Sequence, residues 1–266
     1  MALVAALLTS CAIVPGPVPP PVGRPSPTAA VSPTRTVAFP TLIPTSTWTP
    51  EPTLAATPDL GPGLGPLTLE DSMEDASAWD LPITAAGAAA MTDGRLTLSV
   101  RQPRAYHSAR RFEPVAGDFF AEIEAYTELC SPGDEIGLIA RAGGLGEQYR
   151  FLIGCDGTAR ITRVLEEGSR ALTLRLAFPA IHSGAPATNR LGIWLHGLDL
   201  KFSVNGDEVL TVRDAALQRG SLGVIAHAGS GGQVSAAFDD LRFYTLADAP
   251  ASSSPTVVPA SGSPQP

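Results

Sequence analysis

The clearest pattern along the chain is alternation with a period of two. Arg95 to Val100 (R-L-T-L-S-V), Glu122 to Tyr126 (E-I-E-A-Y) and Arg190 to His196 (R-L-G-I-W-L-H) place apolar and polar residues on opposite sides of an extended backbone. In the last run Leu191, Ile193 and Leu195 share one face and Arg190, Trp194 and His196 the other, so one face is core and the other is available. Runs of this kind recur between Asp93 and Leu246 at intervals of about 8 to 12 residues, with turn residues between them and no helical period of comparable length. That spacing predicts an all-β sandwich or barrel.

Two turns sharpen the prediction. Leu200 to Val204, Asn205-Gly206 and Asp207 to Val212 read as a hairpin, because Asn-Gly supplies the two positive φ angles of a type I′ turn. Asp156-Gly157, between Tyr149 to Gly154 and Ala159 to Leu165, repeats the device. Both point to antiparallel sheet.

Composition divides the chain. Its 266 residues include 26 Pro, which pile up between Cys11 and Pro66 and again after Ala247, whereas 67–246 is proline-poor and rich in Val, Ile, Leu and Phe. That central stretch of roughly 180 residues is long enough to bury about 70% of its extended-chain surface, so it folds without help. Residues 12–66 repeat Thr-Pro and Pro-Thr steps that fix φ and remove backbone donors, the composition of an extended polyproline spacer; 247–266 is a shorter tail of the same kind. At about 3.1 Å per residue, roughly 55 extended residues reach on the order of 170 Å, enough to hold a domain clear of a lipid surface.

Residues 1–11 begin with an apolar run too short to cross a bilayer, which needs about 20 residues, and match a signal h-region. Leu8-Thr9-Ser10-Cys11 resembles the bacterial lipobox, which implies lipidation of Cys11 and a location outside the cytoplasm, at the cell membrane or cell surface. No basic residue precedes Cys11, a departure from that pattern that a start upstream of Met1 would repair. The formal net charge is −8, and no Lys/Arg run is present to displace counterions from phosphates, so a nucleic-acid partner is excluded.

A family resemblance enters with the order of the short motifs. Gly137-Leu-Ile-Ala-Arg141, Tyr149-Arg-Phe-Leu-Ile153, Asp156-Gly157, Asn189-Arg-Leu191, Phe202-Ser-Val-Asn-Gly206, Gly220-Ser-Leu-Gly223 and Phe238-Asp-Asp-Leu241, preceded by Glu70-Asp71 and Trp79, resemble the concanavalin A-like lectin/glucanase superfamily, in its laminin G-like and family-16-glucanase-like branches. The resemblance spans about Leu69 to Leu246. It implies a two-sheet antiparallel jelly roll with one curved sheet whose concave face can hold a sugar or peptide. The motifs are turn and strand signals, so they carry the fold rather than the activity.

The nearest approach to a catalytic motif is Glu122, Glu124 and Glu128, which share a strand face. The resemblance implies a second glutamate three residues past the middle acid, but Thr127 stands there and Glu128 is one step further, so a solvated acidic face is the competing reading. For binding, Trp194 and His196 project from the non-core side of one strand, with Tyr149, Arg141, Arg150 and Arg163 on neighbouring strands; flat rings and donors of this type suit sugars. Packing at a sheet edge or under a loop is the alternative for Trp194.

No catalytic cofactor is implied. Asp71, Asp239 and Asp240 form a candidate set for structural calcium if the terminal strands pair. Cys130 and Cys155 form a candidate disulfide, since both precede turns at one end of a meander; against it, an intervening strand would separate them beyond about 7 Å. The sequence thus favours a surface-tethered, non-catalytic module whose partner is a glycan or other cell-surface polymer, with the membrane reached through the lipid anchor. A hydrolase of the same fold and a structural or protein-binding surface domain are the alternatives.

Overall fold

In a computed structural model of the protein, residues 63–247 are described; the signal-like segment with Cys11, the spacer as far as residue 62 and the tail after residue 247 lie outside them. In chain order the strands are β1 (Leu64–Asp71), β2 (Trp79–Asp80), β3 (Gly87–Thr92), β4 (Arg95–Val100), β5 (Tyr106–Arg111), β6 (Phe119–Leu129), β7 (Glu135–Ala142) and β8 (Gln148–Gly154). They continue as β9 (Thr158–Leu165), β10 (Gly168–Ala171), β11 (Leu176–Ala177), β12 (Ala187–His196), β13 (Asp199–Val204), β14 (Asp207–Arg213), β15 (Ser221–His227) and β16 (Val234–Leu246). One 3-10 turn, Ala76–Ala78, is the sole helical element among the described residues.

The strands form two antiparallel sheets. Sheet I has the order β14-β13-β12-β6-β16-β4-β3, with β1 also on β16; sheet II has the order β10-β9-β8-β7-β15-β5-β2, with β11 also on β9. The two-sheet antiparallel jelly roll expected from the motifs is therefore present. The terminal strands pair directly, Asp71 opposite Leu241.

Alternation decides the core. Leu191, Ile193 and Leu195 of β12 face inward beside Phe119, Ala121 and Ile123 of β6 and Leu200, Phe202 and Val204 of β13. From sheet II, Ile136 and Leu138 of β7, Phe151 and Ile153 of β8, Ile161 of β9 and Val224 of β15 meet them. At about 25 cal/mol for each Å² of apolar surface removed from water, this interdigitated layer is the main stabilising contribution.

Both turns form, in different ways. Asn205 (φ 53°) and Gly206 (φ 92°) supply the two left-handed residues between β13 and β14. Between β8 and β9 only Gly157 (φ 79°) is left-handed, and its N–H donates to Gly154 O at 2.9 Å, so that loop is a three-residue connection rather than a second I′ turn.

Cys130 and Cys155 are bonded, with their Cα atoms 5.9 Å apart. The objection of an intervening strand assumed one continuous meander. Instead the chain crosses from sheet I to sheet II after β6, so Cys130 and Cys155 stand on opposite layers and the disulfide clasps the two sheets at one end.

Candidate functional site

Sheet II curls toward its outer face, as its side chains require. Tyr106 on β5 and Arg160 on β9 are separated by four strand spacings of about 4.8 Å, or roughly 19 Å on a flat sheet. Yet Arg160 Nη2 donates to the Tyr106 hydroxyl at 3.3 Å. Two side chains and one hydrogen bond cannot cover a flat span of that length, so the outer face of sheet II is concave.

Strand registers order the concave face into rows. The first row runs Tyr106, His227, Glu135, Gly154; the second Ser108, Ile225, Gly137, Leu152, Arg160; the third Arg110, Gly223, Ile139, Arg150, Thr162. Ile139, Leu152 and Ile225 with Ala142 make a buried apolar floor separate from the main core. Gly137 is required there, because a Cβ would stand 1.9 Å from Phe151 O and drive the strands apart.

A polar network stands over this floor. Glu135, only 1% exposed, accepts from Arg160 Nε at 2.7 Å and again from Arg160 Nη2, with His227 Nδ1 at 3.1 Å and Arg175 Nη1 at 3.6 Å. A carboxylate only accepts, so His227 carries its proton on Nδ1. Burial alone would raise the Glu135 pKa, but the hydrogen bonds from His227 and Arg160 outweigh it and hold the carboxyl below its ordinary range. Arg175 also grips Asp156 at 3.1 and 3.2 Å; there, too, the bonds from Thr158 and Arg175 overcome burial and lower the pKa. The Tyr106 ring, 37% exposed, stacks on His227 at 4.0 Å, and the Arg150 guanidinium lies 4.3 Å from its centroid.

At the far end of the trough, beyond Arg110, a 250 Å³ cleft opens between Asp80, Arg110, Phe112, Gly143 and Ser221. Phe112 is 58% exposed, an apolar ring at the rim.

The binding residues expected from sequence do not converge. Tyr149 faces the core, its hydroxyl donating to Asp214 Oδ1 at 2.6 Å and accepting from Leu217 N at 3.1 Å; burial and Asp214 push its pKa up to about 12. Arg163 pairs with Asp214 at 2.6 Å. Arg141, 1% exposed, lies at a register shift between β7 and β15 and has φ 48°. That bulge removes it from the alternation, and it donates instead to the carbonyls of Gly117 and Leu217.

Trp194 and His196 belong to sheet I, on the opposite side of the sandwich from the trough. Trp194 is 4% exposed because Phe120 sits directly opposite it and Tyr244 opposite Phe120, a cross-strand aromatic strip with Lys201 5.2 Å from the indole. It is packed, not offered as a stacking platform. His196 is exposed at the strand end.

The acidic candidates also lie on the outer face of sheet I. Glu122 pairs with Arg190 at 3.4 Å and Arg242 at 3.8 Å, Glu124 with Arg190 at 3.6 Å, and Glu128 accepts from Ser235 Oγ at 2.8 Å. They form a cross-strand charge ladder. Asp71 is similarly engaged, accepting from Trp79 Nε1 at 3.0 Å, Arg111 Nε at 2.8 Å and Met73 N at 2.9 Å. Among the described residues, Asp71, Asp239 and Asp240 are not among the side chains whose ligand atoms cluster closely enough to hold a metal ion. The trough residues Tyr106, Glu135, Arg160 and His227 were missed; the signal available was the polar alternation Tyr106, Ser108, Arg110 along β5.

No family model matches the sequence, and no curated protein does. Solved structures do share its architecture. Carbohydrate binding module CBM66 of Bacillus subtilis aligns with TM-score 0.52 and 12% identity over 63% of this chain and 96% of its own. A Bacillus subtilis protein of unknown function with a galectin-like fold aligns at 0.53 and 16%, covering 69% and 97%. A non-specific endo-β-1,3(4)-glucanase of glycoside hydrolase family 16 aligns at 0.51 and 12%, covering 70% and 95%. The described domain shares the two-sheet antiparallel jelly-roll fold of these structures.

Proposed function

We propose that this domain is a non-catalytic glycan-binding module that takes a sugar chain in the concave trough of sheet II. The observation that carries the reading is the trough itself, a curved face with an apolar floor under converging guanidinium, carboxylate, imidazole and phenol groups. Such groups donate to and accept from sugar hydroxyls in the directions a polyol needs. Structures of the same fold include one named as a carbohydrate binding module and one named as a glucanase, which agrees with a glycan ligand.

The hydrolase alternative is weaker on chemical grounds. Retaining and inverting glycosidases both need one carboxyl held protonated as general acid. Of the trough carboxyls, Glu135 and Asp156 are both pulled below their ordinary range and each is occupied by arginine, while Asp80 stands opposite Arg110 at the far end. Neither Glu135 nor Asp156 is set up as an acid.

The same proposal sets the module on an exported chain, tethered at the cell surface through Cys11 and the Pro/Thr-rich spacer. Its disulfide fits an oxidising compartment. A glycan-array screen of the full chain tests the binding: the expected result is a defined class of bound glycan, lost in Arg160→Ala. A blank array, or binding that survives Arg160→Ala undiminished, refutes the trough as a sugar site.

A further inference from the structure

From the charge left over in the trough we infer that the glycan is acidic, carrying carboxylate or sulfate groups that reach Arg150 and Arg110. This deepens the glycan-binding reading and rests on it.

Most described arginines that are withdrawn from solvent have a carboxylate within 4.0 Å: Arg111 has Asp71, Arg141 Asp118, Arg160 Glu135, Arg163 Asp214 and Arg190 Glu122. Arg110 and Arg150 do not. Both are half-buried, both lie on the concave face, and both stand in the same cross-strand row, with only Gly223 and Ile139 between them. Arg110 donates to the neutral carbonyl of Gly143 at 2.9 Å. Arg150 meets the Tyr106 ring and, in the amide orientation that satisfies both partners, the Gln148 carbonyl at 3.0 and 3.1 Å.

Dipoles and ring quadrupoles orient a guanidinium without cancelling its charge. Withdrawing a cation from water without a counter-ion is unfavourable, so such a site favours any anion that can enter. Burial accordingly pulls the Arg150 pKa below its ordinary value. Thr162, next to Arg150 in the row, is buried with a hydroxyl that has no hydrogen-bond partner.

Glu135 is held by Arg160, Arg175 and His227, and Asp156 by Arg175. Asp80 stands opposite Arg110 in the register and lines the same cleft, without an ion pair within 4.0 Å. The trough thus sets four guanidinia, Arg110, Arg150, Arg160 and Arg175, against three carboxylates, Glu135, Asp156 and Asp80, a local excess of positive charge on a chain whose formal charge is −8. The cleft beside Arg110 gives an incoming acid group room.

Calorimetry on the full chain tests the inference with a panel of oligouronates and their methyl esters, and of sulfated and desulfated galactan oligosaccharides. Charge-assisted hydrogen bonds should make at least one acidic member bind about ten- to a hundredfold tighter than its neutral counterpart. Arg150→Met, which keeps the apolar stem, should erase that ratio while the melting temperature stays level or rises; Arg110→Met should reduce it. Equal affinity for acidic and neutral partners overturns the inference and leaves the glycan reading standing. Binding of no member overturns both. A melting temperature that falls by many degrees in Arg150→Met, with the acidic preference intact in Arg110→Met, assigns the pair a structural role and also overturns the inference.

Discussion

Replacing Glu135 with Gln tests the trough network most directly. The side chain is isosteric but neutral, and it would leave Arg160 and Arg175 facing each other across a site from which their shared carboxylate had been removed. Breaking a fully buried ion pair costs about 3 to 5 kcal/mol. Arg160 and Arg175 are 23% and 33% exposed at the side chain, so water recovers part of that loss and about 2 to 3 kcal/mol is the working figure. For a domain of this length each kcal/mol moves the melting temperature by about 2 to 4 °C, so a fall of roughly 4 to 12 °C at pH 7 is expected by calorimetry. The pH dependence fixes the cause. The folded Glu135 carboxyl titrates below its ordinary value, so its contribution is complete above the unfolded pKa of 4.5 and is lost as pH falls through the lower folded value. Wild type and Glu135→Gln should therefore differ at neutral pH and converge in acid. Melting curves separated by the same interval at every pH would refute the electrostatic account.

Three further outcomes follow from the packing. Trp194→Ala should cost about 3 kcal/mol by opening the aromatic strip, whereas Trp194→Phe should be nearly neutral, because the indole N–H has no hydrogen-bond partner; neither should change glycan affinity. Reducing the Cys130–Cys155 bond, whose partners are 25 residues apart, should lower stability by about 3 kcal/mol, read as a lower urea midpoint in reductant. Gly137→Ala should fail to give soluble folded protein, since its Cβ would collide with the backbone carbonyl of Phe151; a cooperative melt near the wild-type value would show that the strands can part at that point.

Local signals in the sequence carried the fold far better than the site. Alternation in β12 assigned Leu191, Ile193 and Leu195 to the core, and Asn205-Gly206 located a hairpin, because each depends on residues a few positions apart. The same alternation placed Trp194 on the outer face correctly and left open whether it is exposed or packed there. What buries it is Phe120, brought opposite by the β6–β12 register from more than 70 positions away. Arg141 was misplaced for a different reason: a single bulge beside it breaks the alternation on which the assignment relied.

The trough is harder still to read, because its defining property is curvature across five strands. Tyr106, Glu135, Arg150, Arg160 and His227 come from β5, β7, β8, β9 and β15, and no two lie close enough in sequence to form a motif except across a hairpin. Their registers align them into rows, but alignment alone would leave Tyr106 and Arg160 far apart; the curl of the sheet brings them to hydrogen-bond distance. Pairing patterns then matter more than residue types. An arginine paired with a carboxylate opposite it reads as structure, as at Arg190 and Glu124 on sheet I, while one whose neighbours are isoleucine and threonine, as at Arg150, leaves its charge for something else. On this domain the two sheets divide accordingly. The outer face of sheet I cancels its charges across strands, and the outer face of sheet II keeps an excess centred on Arg150, which is why the concave face is the place to look for a ligand and acidity is the property to test in it.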